Sequence, residues 1–298
     1  MSLVSSLRKA LGPAAGCSSS SAPGQCHACP LDLRGIRSQP WWLSSWQLGA
    51  ASGGGARGGR GAPARSSTTL RASEYDNNPA LYTAEDAFSL ASYWDARYRR
   101  EGGVPFEWYR DYGSLEPLLD RHLDKQLAVL HVGVGTSRIQ YHMHLDGFRS
   151  IVNVDYAPAC IQQLSALHAD VPGLSYEVAD CRSMPQFADG SFAGGVLDKG
   201  TLDALLCGES DEADSLAMLR ECHRLLPPGA SYLMVTHSPP RSRLRYLQRP
   251  GLDWDVAFYE QGQQGAREGP VRVEGCAELD AYPKMSYSHF IYVCTRRA

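Results

Sequence analysis

The chain has 298 residues, 43% of them hydrophobic, and a net charge of −3, which is enough apolar material for one or two packed domains. Residues 1–73 hold eight Lys or Arg and a single acid, so the remainder carries a net charge of −10. An acidic body disfavours a general nucleic-acid binder, and with no uncharged apolar run of about 18 residues no membrane-spanning helix is expected.

Residues 1–73 are rich in Ser, Ala, Gly and Arg. That composition matches an organellar transit peptide and points to mitochondrion or plastid, a disordered cytosolic extension being the alternative. Cys26 and Cys29 have metal-ligand spacing, but no second pair follows and no metal is expected. The nine cysteines are scattered and read as reduced thiols.

The folded domain is predicted over 74–298. Thr83 with Asp86 three residues on resembles a capping box and opens a helix through about Arg100. Trp94 and Tyr98 lie four apart on it and share a face. A second aromatic group, Phe106-Glu107-Trp108-Tyr109, precedes a helix over Leu115–Leu123. Taken alone, this aromatic stripe reads as core.

Leu127–His131 reads as a buried strand running into the turn Gly133-Val134-Gly135, with helix Ile139–Leu145 after it. Strand Ser150–Asp155, helix Ala159–His168 and strand Leu174–Val178 follow, the last leading to Asp180 and Cys181. A fourth strand, Phe192–Leu197, runs into Asp198-Lys199-Gly200-Thr201-Leu202-Asp203. Helix Glu212–Leu226 and strand Ser231–Thr236 come next. Arg241, Arg243, Arg245 and Arg249 read as a solvated helix face, contact with an acidic substrate being the alternative. Trp254–Tyr259 and Tyr287–Cys294 read as a closing antiparallel hairpin. Strands alternating with helices predict an α/β fold, a mostly parallel sheet with helices on both faces.

Ligands of such sheets sit at the carboxyl ends of the strands. That rule gathers Gly133, Asp155, Asp180 and Asp198-Lys199 at one rim. Asp155 stands 20 residues after Gly135, the spacing of an acid that takes a ribose diol. The third glycine of a dinucleotide fingerprint is replaced by Arg138. The turn therefore fits a nucleoside cofactor without phosphates, such as S-adenosylmethionine, better than a nicotinamide dinucleotide.

The set YWDARY (Tyr93–Tyr98), FEWY (Phe106–Tyr109), HVGVGTS (His131–Ser137), NVDYA (Asn153–Ala157), ADCR (Ala179–Arg182) and LDKGTLDALL (Leu197–Leu206) resembles the seven-β-strand S-adenosylmethionine-dependent methyltransferases. It is most similar to the eukaryotic subgroup that methylates lysine on translation elongation factor 1-alpha. The resemblance implies a Rossmann-like three-layer sandwich with seven strands, and a protein substrate. It implies that Trp94, Tyr98 and Trp108 wrap the cofactor, that Gly133 passes beside the methionine part, and that Asp155 takes the ribose. Tyr156 would pack on adenine, Asp180 and Cys181 would meet its edge, and Lys199 would lie near the methionine moiety. Val134 and Thr136 depart from the subgroup's usual cysteine and asparagine.

The chemistry so implied is in-line attack of an amine on a sulfonium methyl, in which positioning supplies much of the rate. Asp198 and Asp203 are the candidates to orient the incoming amine. Two other readings are a small-molecule acceptor and a non-catalytic cofactor-binding scaffold.

Overall fold

The computed structural model describes residues 85–208, 211–262, 265–266, 269–272 and 288–298. The expected leader over 1–73, the Cys26–Cys29 pair and Thr83 lie outside the described residues.

The first helix is interrupted. A 3-10 turn, Glu85–Ser89, is followed by α1 (Ala91–Glu101), with Leu90 in extended backbone between them. The Trp94 indole donates to the Phe88 carbonyl at 2.7 Å, an acceptor that a continuous helix would have used for its own ladder. Helix α2 (Tyr112–His122) starts earlier than expected, because Asp111 caps it by accepting from the Ser114 amide at 3.0 Å.

The βα units follow in order: β1 (Ala128–Val132), α3 (Ile139–Leu145), β2 (Ser150–Asp155), α4 (Pro158–Leu167), β3 (Leu174–Val178), β4 (Gly195–Lys199), α5 (Thr201–Leu205), α6 (Asp211–Leu225), β5 (Ser231–Thr236) and α7 (Pro240–Leu247). The sheet closes with β6 (Trp254–Gly262), the two-residue strands β7 (Gly265–Ala266) and β8 (Val271–Arg272), and β9 (His289–Arg296). Strand order is β3-β2-β1-β4-β5-β9-β6, with β7 and β8 beyond on β6. β1 to β5 are parallel, while β9 runs antiparallel between β5 and β6. The expected α/β sandwich with a closing antiparallel pair is what forms.

Alternating residues of each strand feed opposite faces. Leu130, Val132, Val196, Tyr232 and Met234 enter one core with Phe290 and Tyr292, whereas Val129, Ile151, Leu197, Leu233 and Val235 enter the other with Leu115 and Leu119. Two cores around one sheet make the three layers.

The fourth strand departs from expectation. It begins at Gly195 (φ +111°) rather than Phe192, because the Gly195 amide donates to the Phe192 carbonyl at 3.1 Å and closes a turn over those residues. The strand therefore extends through Asp198 and Lys199, which pair in register with Met234 and Val235 of β5.

Candidate active site

The carboxyl ends of β1, β2, β3, β4 and β5 meet at one rim, and the chain order reverses there between β1 and β4. Sheets of this kind open a ligand crevice at that reversal.

On the β1–β3 side, Gly133 (φ +62°) and Gly135 (φ +54°) both need the left-handed region. The space a side chain would take there is filled by protein. A Cβ on Gly133 would lie 2.0 Å from Thr201 Oγ1, and one on Gly135 would lie 2.9 Å from the Tyr98 hydroxyl. The glycines bring α5 and α1 close to the turn. Asp155 ends β2, and its two carboxylate oxygens accept from the Ala157 and Gly135 amides, each at 2.9 Å. Burial pushes its pKa up to about 6 against those amides. A buried carboxylate held by backbone amides at the end of β2 is placed to meet the hydroxyls of a ribose.

Tyr98 stacks on Trp94 with ring centroids 5.7 Å apart, and Trp108 meets Trp94 edge-on at 6.3 Å. Trp94 and Tyr98 are buried, while Trp108 keeps an exposed part. Arg97, which sequence reasoning missed, is buried among these rings. Its guanidinium lies 5.4 to 5.7 Å from the Trp94, Phe106 and Trp108 ring centres, and its Nε donates to Glu101 at 2.9 Å.

Tyr156 and Cys181 sit at the ends of β2 and β3, both half-buried, and burial first, then nearby carboxylates, raises each pKa. Asp180 is held in a bidentate pair by Arg182, with contacts of 2.6 to 3.0 Å. Burial opposes its ionisation, but Arg182 outweighs this and holds the carboxyl below the usual range.

Lys199 does not offer its ammonium to the crevice. Nζ is buried, 2.9 Å from Glu107 and donating to the Trp108 carbonyl at 3.1 Å, and burial lowers its pKa in spite of Glu107. Glu107 also accepts from the Ser137 hydroxyl at 2.9 Å and the Arg138 amide at 2.6 Å. Lys199 and Glu107 thus pin the aromatic segment to the turn after β1 and the end of β4.

The two proposed amine-orienting acids differ. Asp198 is fully buried inside β4. Its oxygens accept from the Thr201 and Leu202 amides (2.8 and 3.4 Å) and from the Tyr232 hydroxyl at 2.6 Å. It caps α5 from below, which corrects the expectation that it faces an amine; burial raises its pKa to about 6. Asp203 lies at the crevice floor and is the centre of a cluster. It accepts from Thr236 Oγ1 at 2.8 Å, from the Tyr109 hydroxyl at 2.8 Å and from Arg243 Nη2, with His237 Nδ1 3.5 Å away. Burial raises its pKa, but the Arg243 and His237 charges prevail and hold it well below the usual carboxylate range.

Arg243 corrects a second expectation. It is buried, and also donates to Ser238 Oγ at 2.6 Å. Arg241 and Arg245 on the same helix are exposed, and Arg249 pairs with Glu212.

A family model described as "Methyltransferase domain" matches residues 130–234. EEF1A lysine methyltransferase 4 of Mus musculus is 34% identical over 187 residues, 60% of this chain and 72% of that protein. Its namesake in Bos taurus is 32% identical over 197 residues, covering 62% and 76%. The eEF1A lysine and N-terminal methyltransferase of Homo sapiens is 34% identical over 215 residues, 70% of this chain but 29% of its own length.

Proposed function

This chain belongs to the methyltransferase family of those EEF1A lysine methyltransferase 4 proteins, and on that basis we propose that it methylates a protein lysine with S-adenosylmethionine as donor. The observation that carries the cofactor is Asp155. It stands at the end of β2, 20 residues past Gly135, accepts from the Gly135 amide, and is buried. Trp94, Tyr98 and Trp108 supply aromatic surface for a cationic sulfonium, and Tyr156 and Cys181 flank the place an adenine would take. Bound S-adenosylmethionine supplies an activated methyl group.

A lysine amine enters protonated, with an ordinary pKa of about 10.4. An aromatic mouth disfavours that charge by desolvation, and Trp108 and Tyr109 line it here. The names of the relatives make elongation factor 1-alpha the first acceptor to try. The test has two parts. Calorimetric titration of the full chain with S-adenosylmethionine is expected to give micromolar binding that Asp155→Ala abolishes. Incubation with the labelled cofactor and purified elongation factor is expected to label lysine. Equal binding by both proteins refutes the cofactor site, and binding without labelling refutes this acceptor.

A further inference from the structure

The cluster around Asp203 gathers titratable side chains from five segments: Tyr109 between α1 and α2, Asp203 on α5, His237 after β5, Arg243 on α7 and His289 on β9. Tyr109 is the hinge between this cluster and the cofactor side. It follows Trp108 directly and has φ +60°, a conformation that a bulky residue adopts only when its surroundings enforce it. Its ring passes over Gly200, where a Cβ would stand 3.2 Å away. His237 and His289 flank the same ring, with centroids 5.6 and 5.3 Å distant.

The hydrogen bonds fix which nitrogen of His237 carries the proton. The Tyr109 hydroxyl has one proton and donates it to Asp203. Its oxygen can then only accept from His237 Nδ1, 3.0 Å away. Nδ1 is the N–H, and in the neutral ring Nε2 holds a lone pair. His237 is 26% exposed, and Nε2 makes no hydrogen bond among the described residues. A network built only to hold the fold would close on itself. This one ends on a side chain that is partly exposed, beside aromatic surface that suits a lysine's aliphatic stem.

We propose that Tyr109, His237 and His289 form the subsite that receives the acceptor lysine, and that His237 takes the proton from its ammonium. This rests on the methyltransferase reading above. The ammonium passes its proton to Nε2, leaving an uncharged amine and an imidazolium beside the Asp203 carboxylate. The nitrogen lone pair then forms the N–C bond to the sulfonium methyl while the C–S bond breaks and its electron pair stays on sulfur. The products are a methylated ammonium, a thioether and the imidazolium, which returns its proton to solvent from its exposed edge. Tyr109 and Asp203 act as positioning residues by keeping Nε2 as the acceptor. Tyr109, Asp203 and His289 face His237; Arg243 acts on it through Asp203, and Arg110 lies behind His289. Burial first, then Arg110 and His237, lowers the His289 pKa to about 4, so at neutral pH it adds a neutral wall and not a second cation.

The first test needs no identified acceptor. In the full chain with 15N-labelled histidine and bound S-adenosylhomocysteine, His237 is assigned by its loss in His237→Gln. The expected neutral form is protonated on Nδ1, its Nε2 signal moves when n-butylamine is added, and Tyr109→Phe disturbs both. An Nε2–H tautomer, or no response to the amine, overturns the subsite. The second test is turnover on elongation factor 1-alpha. His237→Gln is expected to lower kcat about 100-fold or more, with cofactor affinity kept within about twofold of wild type. Unchanged kcat overturns the proton-transfer role. A wild-type chain that binds cofactor but labels no elongation factor fails the substrate reading alone, and the imidazole spectrum still decides the subsite.

Discussion

Replacing Asp203 by Asn tests whether the crevice floor is an ion pair that the fold depends on. Asp203 and Arg243 are 9% and 3% exposed, so neither charge has water to fall back on. The amide keeps the shape and one acceptor oxygen. Its NH2 group, however, faces donors from Thr236, Tyr109 or Arg243, and the guanidinium is left buried without a counter-charge. Removing one partner of a buried pair costs about 3–5 kcal/mol. With a urea m-value of about 3 kcal/mol/M for a domain of this size, the unfolding midpoint falls by about 1 M or more. The sign with pH follows from the depressed carboxyl. Its stabilisation is complete above the unfolded value of about 3.9 and fades as pH falls through that value and below. The wild-type chain therefore loses the advantage over Asp203→Asn on acidification. A double-mutant cycle with Arg243→Met separates the pair from its other contacts, and a coupling of at least about 1.5 kcal/mol is expected. A loss under about 1 kcal/mol, or additive single effects, refutes the claim that this pair holds the floor.

Gly133→Ala is expected to destabilise by at least about 2 kcal/mol, the left-handed strain alone being about 1–2, since its Cβ would lie 2.0 Å from Thr201 Oγ1; adding Thr201→Ala restores part of the midpoint, and no recovery means the contact is not the cause. Glu107→Gln removes the charge partner of buried Lys199 and frees the aromatic segment. Faster proteolysis near Arg110 and about tenfold weaker cofactor binding, read by calorimetry, are the outcomes a latch requires. Asp155, with its pKa raised to about 6 by burial, burdens the folded state increasingly as pH rises from about 4 to 6. Because a diol donates best to the ionised form, S-adenosylmethionine affinity is expected to climb over the same range and level off near pH 7, and a flat profile in the wild-type chain contradicts this assignment.

The β1–β3 side was legible in the sequence because its parts are local. Gly135 and Asp155 belong to one βαβ unit, so counting 20 residues from turn to acid locates both partners of a hydrogen bond the structure contains. The opposite side defeats counting. Tyr109 is 94 residues from Asp203 and 128 from His237, and Asp203 is 40 from Arg243. Arg243 alternates with exposed Arg241 and Arg245, so nothing in its neighbourhood marks it as the buried member. Asp198 was misread for a different reason. The Phe192–Leu197 run looks like a strand by its apolar residues, but a turn closed by the Gly195 amide on the Phe192 carbonyl starts the paired segment at Gly195, and it runs on to Lys199.

The same geometry assigns different work to the two sides of the reversal between β1 and β4. On the β1–β3 side Asp155 accepts from the backbone amides of the two turns it joins, which places a carboxylate at the strand ends where a ligand brings its own donors. On the β4–β5 side Asp203 already accepts from Thr236, Tyr109 and Arg243, so its oxygens are engaged within the protein. What the acid can do is orient Tyr109, and through Tyr109 the imidazole of His237. The group able to respond to an incoming ammonium is thus the partly exposed end of the chain of bonds, one step beyond the carboxylate. Trp108 and Tyr109, adjacent in sequence, join the sides: the tryptophan carbonyl is held by Lys199, and the tyrosine hydroxyl by Asp203. Displacing that dipeptide would disturb donor and acceptor geometry together, which in-line transfer cannot tolerate.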